Sequence, residues 1–188
     1  MANMGLGRIG ERSVVFKRKF RWTFDVKNIC GLGGDKIGAS FVKLASRPNI
    51  SFEETELNFL NGKTWIPGKG TWETITVTYI DAAVDDLRPL YKWLAAVYEF
   101  DNPLTLKMGS RESWAAQGIL VLYDGCGKEI EQWTMGNMWP QSINFGDLDY
   151  ASSDEVTIEL TLRYSDVRYD NFCPGFNIDK CCSGCETT

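Results

Sequence analysis

The feature that most constrains the fold is a strict alternation of apolar and polar residues late in the chain. Every second residue from 156 to 164 is apolar: Val156, Ile158, Leu160, Leu162 and Tyr164. The intervening and following residues are polar: Thr157, Glu159, Thr161, Arg163 and Ser165. Successive side chains of a β-strand point to opposite faces, so this pattern predicts a strand with one buried and one exposed face. Such a strand needs a second layer to cover its apolar side.

A second alternating segment, residues 13–26, predicts a strand near the start of the chain. Its inward set is apolar: Phe16, Phe20, Trp22, Phe24 and Val26. Its outward face is basic, with Lys17, Lys19 and Arg21. Residues 1–27 carry a net charge of +5, so the rest of a chain with net charge −5 carries −10. An acidic body argues against tight nucleic-acid binding, which needs clustered cations, whereas the basic start suits an acidic neighbour.

Residues 85–100 form the one segment with helical periodicity. Its apolar residues follow a single stripe: Leu87, Leu90, Tyr91, Leu94, Val97 and Tyr98. Proline is tolerated only in the first turn of a helix, so Pro89 makes Asp85 or Asp86 the expected N-cap.

The remaining patterns are those of short strands. They lie at residues 41–46, 71–80, 118–135 and 141–146. Asp124-Gly125 predicts a hairpin turn inside the third of these segments, and Pro140 is expected to end a strand. Together the segments predict a mainly β fold, an antiparallel β-sandwich or β-barrel with one flanking α-helix. We expect one domain over residues 1–169 and a cysteine-rich tail over residues 170–188.

Residues 47–70 predict a long hairpin arm reaching off the core. Its apolar residues change parity along the chain: Ile50 and Phe52 share one parity, Leu57 and Phe59 the other. Such a slip indicates a β-bulge or a break near residues 53–55. Asn61-Gly62 and Pro67-Gly68 are both turn signals. Ordered segments of this length outside the core usually have a function.

The chain contains no histidine. This excludes Ser-His-Asp and Cys-His catalysis and histidine-ligated zinc. No pair of carboxylates stands out from the surface acids, so we predict no catalytic residue, no metal site and no cofactor. No apolar run approaches the roughly 20 residues of a membrane span. The start, MANMGLGRIGERS, lacks the apolar region of a secretory signal, so we expect synthesis in a cytoplasm and no membrane anchor.

Most of the chain resembles a known family. The resemblance is carried by LNGKTWIPGKGTWETITVTYID, the LYKWL helix, and LYDGCGKEIEQWTMGNMWPQSINFGDLDYASSDEVTIELTLRY. The last block is the most specific, because Gly127, the Glu131-x-Trp133 pattern, Trp139-Pro140 and the NFGDLDY loop recur in one order. From about Phe20 to Tyr164 the sequence resembles the tail-tube subunit of contractile-tailed bacteriophages. The tail after Tyr169 is not part of that pattern.

The resemblance implies a structural, non-enzymatic role in a virion. Tube subunits form six-fold rings that stack into a tube inside a contractile sheath, and DNA passes through the tube into the host. The implied partners are copies of itself, the sheath, baseplate and tail-terminator proteins, and a tape-measure protein in the lumen. Assembly takes place in the host cytoplasm. The same fold occurs in type VI secretion tubes, R-type bacteriocins and other contractile injection systems, which leaves a non-phage tube as an alternative.

The resemblance gives roles to several exposed residues. The arm reaches a neighbouring subunit or ring, with Asn61, Lys63, Trp65 and Pro67 as contact candidates. A channel for DNA should repel phosphate, which makes Glu155 and Glu159 candidates for the lumen wall. The basic strand around residues 17–21 then faces a subunit neighbour or the sheath.

Two other functions fit a β-sandwich of this composition. A carboxylate-dependent glycan hydrolase requires a pair of carboxylates, one with a raised pKa. A carbohydrate-binding module would use exposed aromatic rings, here Trp65 and Trp72. Packing inside the strands is the simpler role for Trp22, Trp133 and Trp139.

The six cysteines pose a separate question. Four of them, Cys173, Cys181, Cys182 and Cys185, lie in the tail, and Cys30 and Cys126 lie in loops. Zinc, a reactive thiol, disulfides and free thiols are the alternatives. Adjacent cysteines form a disulfide with each other poorly, so Cys181 and Cys182 are expected to pair with other cysteines. We expect a disulfide within the tail or to an adjacent tube or sheath subunit, with Cys30 able to join and Cys126 a weaker candidate.

Overall fold

The computed structural model describes residues 17–29, 36–98, 114–151 and 153–171. The strands are β1 (Trp22–Lys27), β2 (Val42–Ala45), β3 (Ile50–Phe59), β4 (Gly62–Trp72), β5 (Ile75–Ile80), β6 (Ala116–Tyr123), β7 (Glu129–Asn144), β8 (Thr157–Arg163) and β9 (Asp166–Asn171). The helix α1 (Arg88–Val97) follows a short 3₁₀ turn, and a second 3₁₀ turn precedes β2. In the described part of the chain, no helix has the length and hydrophobicity needed to cross a membrane.

Strand β7 joins two layers of antiparallel sheet. The hydrogen-bonded order is β1-β6-β7-β8-β5-β2, β9 also pairs with β7, and β3 and β4 form a separate two-stranded sheet. The first half of β7 pairs with β6 and β9, and its second half pairs with β8. A bridge between Val26 and Ile37 adds a pairing at the β1 edge. The predicted class, mainly β and antiparallel with one helix, is confirmed.

The core forms where the alternating faces of the two layers meet. Ile158, Leu160 and Leu162 of β8 are buried, as the alternation predicts. They face inward together with the buried residues of β5, which are Ile75, Val77 and Tyr79. Strand β9, which starts directly after Ser165, was not predicted, because its apolar alternation extends over only Val167 and Tyr169.

Helix α1 covers the core with part of the predicted stripe and with one residue from outside it. Leu90, Trp93 and Leu94 are buried, whereas Tyr91 and Tyr98 are exposed. Trp93, absent from the predicted stripe, donates a hydrogen bond from Nε1 to the Trp114 carbonyl at 2.8 Å. The predicted aspartate N-cap is also wrong. The chain enters the helix through the 3₁₀ turn, whose cap is Val84, and the residue at the helix N-cap is Leu87.

The predicted strand over residues 13–26 is shorter than expected. Strand β1 begins at Trp22, and Phe20, predicted to face inward, is 74% exposed. The chain turns just before the strand, where the Arg21 amide donates to the Arg18 carbonyl at 3.3 Å. Phe16 lies outside the described residues. The basic residues before β1 therefore belong to a turn, and among the described part of the segment only Trp22 onward pairs as a strand.

The predicted strand end at Pro140 is wrong, because β7 runs through it. Pro140 pairs with Leu162 of β8, and the register shifts between Pro140 and Ser142. An irregularity in the ladder accommodates a residue that has no amide hydrogen. The predicted strand over residues 71–80 is likewise divided, into the end of β4 and the whole of β5.

Candidate assembly interface

The arm, which we define as β3, β4 and their turn, is a hairpin with almost every residue exposed. It turns at Leu60 and Asn61, one residue before the position that the Asn61-Gly62 signal predicts, and Gly62 begins β4. Lys63, Trp65 and Pro67 all lie on β4. Lys63 forms an ion pair with Glu56 at 2.5 Å, and Trp65 is 58% exposed. The side chains of the arm are thus exposed, and the described part of the chain does not cover them.

The bulge predicted near residues 53–55 is confirmed, but its extra residue lies on β4. The register shifts between Phe52, which is opposite Gly70, and Glu54, which is opposite Pro67. The predicted turn at Pro67-Gly68 is wrong, because both residues lie within the strand. Gly68 is needed here: a Cβ atom on it would lie 3.0 Å from the Glu53 carbonyl oxygen.

The arm carries exposed apolar residues on both faces. Alternation along β3 puts Ile50 and Phe52 on one face, near the base. It puts Leu57 and Phe59 on the other face, near the tip, and Ile66 joins them because it pairs with Thr55. These side chains are all at least 39% exposed. Large exposed apolar side chains grouped on a projecting element are typical of protein–protein contacts.

The two tryptophans of the arm lie on the same face of the hairpin but far apart along it, because Trp72 pairs with Ile50 at the base and Trp65 pairs with Glu56 toward the tip. Trp72 is partly buried and packs against the core, with its ring centroid 6.3 Å from that of Tyr164. Trp65 lies farther out, toward the tip. A carbohydrate-binding platform built from both rings is therefore not formed.

A buried carboxylate links three parts of the chain. The side chain of Glu131, on β7, is completely buried. Its Oε2 accepts a hydrogen bond from Lys17, before β1, and its Oε1 accepts one from Arg47, at the base of the arm. Oε1 also accepts from Trp133 Nε1 at 3.0 Å. The arm, the segment before β1 and the core sheet thus meet at one group.

These contacts keep Glu131 ionised. Burial alone would raise the pKa of Glu131, because a charged form is costly away from water. Hydrogen bonds from Lys17 and Trp133, together with the positive charges of Arg47 and Lys17, outweigh burial and hold the pKa below its ordinary value. The sequence gives one signal for this group: Glu131 has the same strand parity as Trp133 and the buried Met135.

A groove of about 390 Å³ opens beside this cluster, between the edge strands β1 and β2. We call it the basic groove. It is lined by apolar side chains and by four cations: Trp22, Leu44, Ala45, Leu120, Leu122, Lys17, Arg18, Lys19 and Arg47. Lys17 and Arg47 are paired with Glu131, whereas Arg18 and Lys19 are exposed and form no ion pair with any described residue. The groove therefore combines an apolar floor with two cations, Arg18 and Lys19, that pair with no carboxylate in the described part of the chain.

The loop after β7, residues 145–151, has the opposite charge, and we call it the acidic loop. It contains Asp147 and Asp149 next to Leu148, which is 84% exposed, and Tyr150, which is fully exposed. The backbone is shaped by local hydrogen bonds: the Gly146 amide donates to Asn144 Oδ1 at 3.0 Å, and the Ala151 amide donates to Asp149 Oδ1 at 2.9 Å.

Replacement of Gly146 by alanine is expected to lower the free energy of unfolding by about 1–3 kcal/mol. Gly146 has a φ of +72°, and a Cβ atom there would lie 3.0 Å from the Thr157 carbonyl oxygen. Urea denaturation measures the loss. Gly62→Ala is the matched control, because a Cβ atom at Gly62 meets nothing within 4 Å. Equal losses for the two variants would contradict a special conformation at Gly146.

The remaining predicted residues lie in three places. Glu159 is exposed on β8, opposite Thr78 of β5 and Asn144 of β7. Glu155 precedes β8 and approaches Lys43 at 4.0 Å. Cys126 is exposed in the hairpin turn after β6, where its amide donates to Asp124 Oδ1 at 2.7 Å. The five other cysteines lie outside the described residues: Cys30, Cys173, Cys181, Cys182 and Cys185.

Several solved structures have a fold similar to that of this chain. A structure of the anti-feeding prophage (AFP) baseplate, 6-fold symmetrised, contains a chain that superposes with a TM-score of 0.67 at 14% identity. The match covers 84% of this chain and 97% of the other. This chain has the fold of a contractile-tail tube protein. A sheath-tube complex of the extracellular contractile injection system PVC, in the extended state, matches with a TM-score of 0.64 at 16% identity over 89% of this chain and 98% of the other.

A third structure with the tube-protein fold is the PVC sheath/tube terminator. It matches with a TM-score of 0.63 at 19% identity, over 81% of this chain and 95% of the other. No protein-family model matches the sequence, and comparison with curated proteins finds no match. The similarity to these structures is therefore one of fold.

Proposed function

We propose that this protein is a structural, non-enzymatic subunit of the tube of a contractile tail. Six copies form a ring, and the rings stack into a tube inside a sheath. The observation that carries the proposal is the tube-protein fold combined with an arm whose apolar residues are exposed on two faces. An arm that projects from the core and cannot bury these residues within its own hairpin is suited to contacts with other subunits.

The partners follow from this role. Copies of the protein supply the ring and stacking contacts, the sheath surrounds the tube, and the baseplate and terminator proteins close its ends. A tape-measure protein occupies the lumen during assembly. Glu159, on the outer face of β8, and Glu155, just before the strand, line the bore, where their negative charge repels the phosphates of passing DNA. The cysteines of the tail link the particle covalently after release.

The delivered cargo distinguishes two versions of this function. The sequence resemblance favours a phage virion that carries DNA. The solved structures with the same fold include two from an extracellular contractile injection system, which favours a particle without a genome. Particles purified from producing cells and treated with nuclease would retain protected DNA in the first case and none in the second.

Arm-tip substitution is expected to abolish assembly. The variant Leu57→Ser/Phe59→Ser removes the apolar tip of β3, and we expect rings and tubes of the unchanged protein to be replaced by monomers. Asn58→Ser, between the two positions, is the matched control and should assemble normally. Negative-stain microscopy and sedimentation velocity give the readout, with circular dichroism to show that each variant is folded. A monomeric unchanged protein at high concentration would refute the proposed function.

A further inference from the structure

The basic groove and the acidic loop are two surfaces of complementary chemistry on one chain. The groove has an apolar floor and carries Arg18 and Lys19, which have no ion-pair partner among the described residues. The loop exposes Leu148 and Tyr150 between carboxylates. The two surfaces lie on different elements: the groove between β1 and β2, and the loop at the junction of β7 and β8.

We propose that the acidic loop of one copy of this protein docks in the basic groove of the neighbouring copy. The inference rests on the proposed tube function and names a contact between its subunits. Leu148 and Tyr150 would cover the groove floor, and Asp147 and Asp149 would meet Arg18 and Lys19 at its rim. Each surface supplies what the other lacks, an apolar occupant for the groove and counter-charges for the loop.

The shape of the loop favours docking without a large ordering cost. Two hydrogen bonds, to Asn144 and Asp149, and the positive φ of Gly146 fix the backbone conformation of the loop. A surface loop that is already ordered loses less conformational entropy on binding than a flexible one. On the other side, Glu131 holds Lys17 and Arg47 in place, so the groove wall is also formed before binding.

The contact is heterologous, which has a geometric consequence. The loop and the groove are different surfaces, so every docked subunit still offers one free loop and one free groove. Such a contact repeats head to tail and closes into a ring when the rotation between copies divides a full turn. This is the kind of contact that a ring of identical subunits needs, and it is distinct from the contact made by the arm.

Charge reversal tests the pairing. The groove variant is Arg18→Glu/Lys19→Glu, and the loop variant is Asp147→Lys/Asp149→Lys. Lys17 and Arg47 are left unchanged because they bind Glu131. Each variant alone places like charges across the contact, and we expect assembly to need at least about tenfold more protein. The variant with all four changes restores opposite charges and is expected to assemble within about threefold of the unchanged protein.

The readout is the concentration at which rings form in sedimentation velocity, at low and high salt. Lys27→Glu/Lys36→Glu is the charge-matched control for the groove variant and should assemble normally. If the groove variant fails but the loop variant assembles, the groove binds another protein and the proposal is overturned. Lack of rescue in the combined variant also overturns it. Failure of the unchanged protein to assemble would instead refute the tube function itself.

Discussion

Replacing Trp93 with alanine is expected to lower the free energy of unfolding by about 3–5 kcal/mol. The ring, on the inner face of α1, is completely buried in the core, and its Nε1 donates to the Trp114 carbonyl at 2.8 Å. The variant leaves a large cavity and removes the donor from that carbonyl. Urea denaturation followed by circular dichroism measures the loss of stability. Assembly should weaken as well, because a smaller fraction of the protein is folded.

Two further variants make this result interpretable. Trp93→Phe retains most of the apolar contact but loses the hydrogen bond, and an intermediate loss of about 1–3 kcal/mol is expected. Trp65→Ala makes the same truncation on the exposed arm and should change stability by less than about 1 kcal/mol. Comparable losses at positions 93 and 65 would show that α1 does not cover the core as described.

Replacing Glu131 with glutamine is expected to lower the free energy of unfolding at neutral pH by about 1–3 kcal/mol. The amide keeps the size of the side chain but removes the charge that faces Lys17 and Arg47. Their side chains are 42% and 52% exposed, so water partly replaces the lost contacts and the cost stays below that of a fully buried pair. Glu129→Gln, on an exposed position of the same strand, is the matched control and should be nearly neutral.

The same substitution should change the dependence of stability on acid. The pKa of Glu131 is lower in the folded state than in the unfolded chain, so the ionised group stabilises the fold above its unfolded pKa. That contribution disappears as the pH falls through the lowered folded pKa. The unchanged protein should therefore lose more stability than Glu131→Gln between neutral and acid pH. Parallel curves for the two proteins would contradict an ionised Glu131 in the fold.

Glu131 also couples the position of the arm to the core. Arg47 stands between β2 and β3, where the chain leaves the core for the arm. Its guanidinium binds Glu131 and lies over the Trp133 ring, 5.9 Å from the centroid. The root of the arm is thus fixed by a charged, planar contact, while its tip remains exposed.

Local patterns in the sequence predict the parts of the fold that local physics determines. The alternation in β8 follows from burial of one strand face, and the turn after β6 follows from Asp124-Gly125. Asp124 accepts hydrogen bonds from the amides of Cys126 and Lys128 in that turn. The change of parity among the apolar residues of β3 likewise predicts the bulge in the arm.

The features that sequence reasoning missed depend on distant parts of the chain. Pro140 reads as a strand end, yet β8 pairs across it and keeps β7 continuous. Phe20 fits the alternation of β1 but lies beyond the point where β6 can pair, since Trp22 is opposite Leu122, at the end of β6. The two cationic partners of Glu131, Lys17 and Arg47, are more than 80 residues away, so no spacing rule could connect them.

The proline in the arm limits the addition of further strands to β4. A projecting hairpin with open backbone edges is normally a template for further strands, which leads to open-ended cross-β polymerisation. Pro67 lacks an amide hydrogen, the bulge beside it interrupts the ladder, and Lys63 and Lys69 lie on the same strand. Such an edge is protected against strand addition. Contacts made through this edge of β4 are therefore expected to use side chains, which fit only a matching surface, rather than backbone pairing.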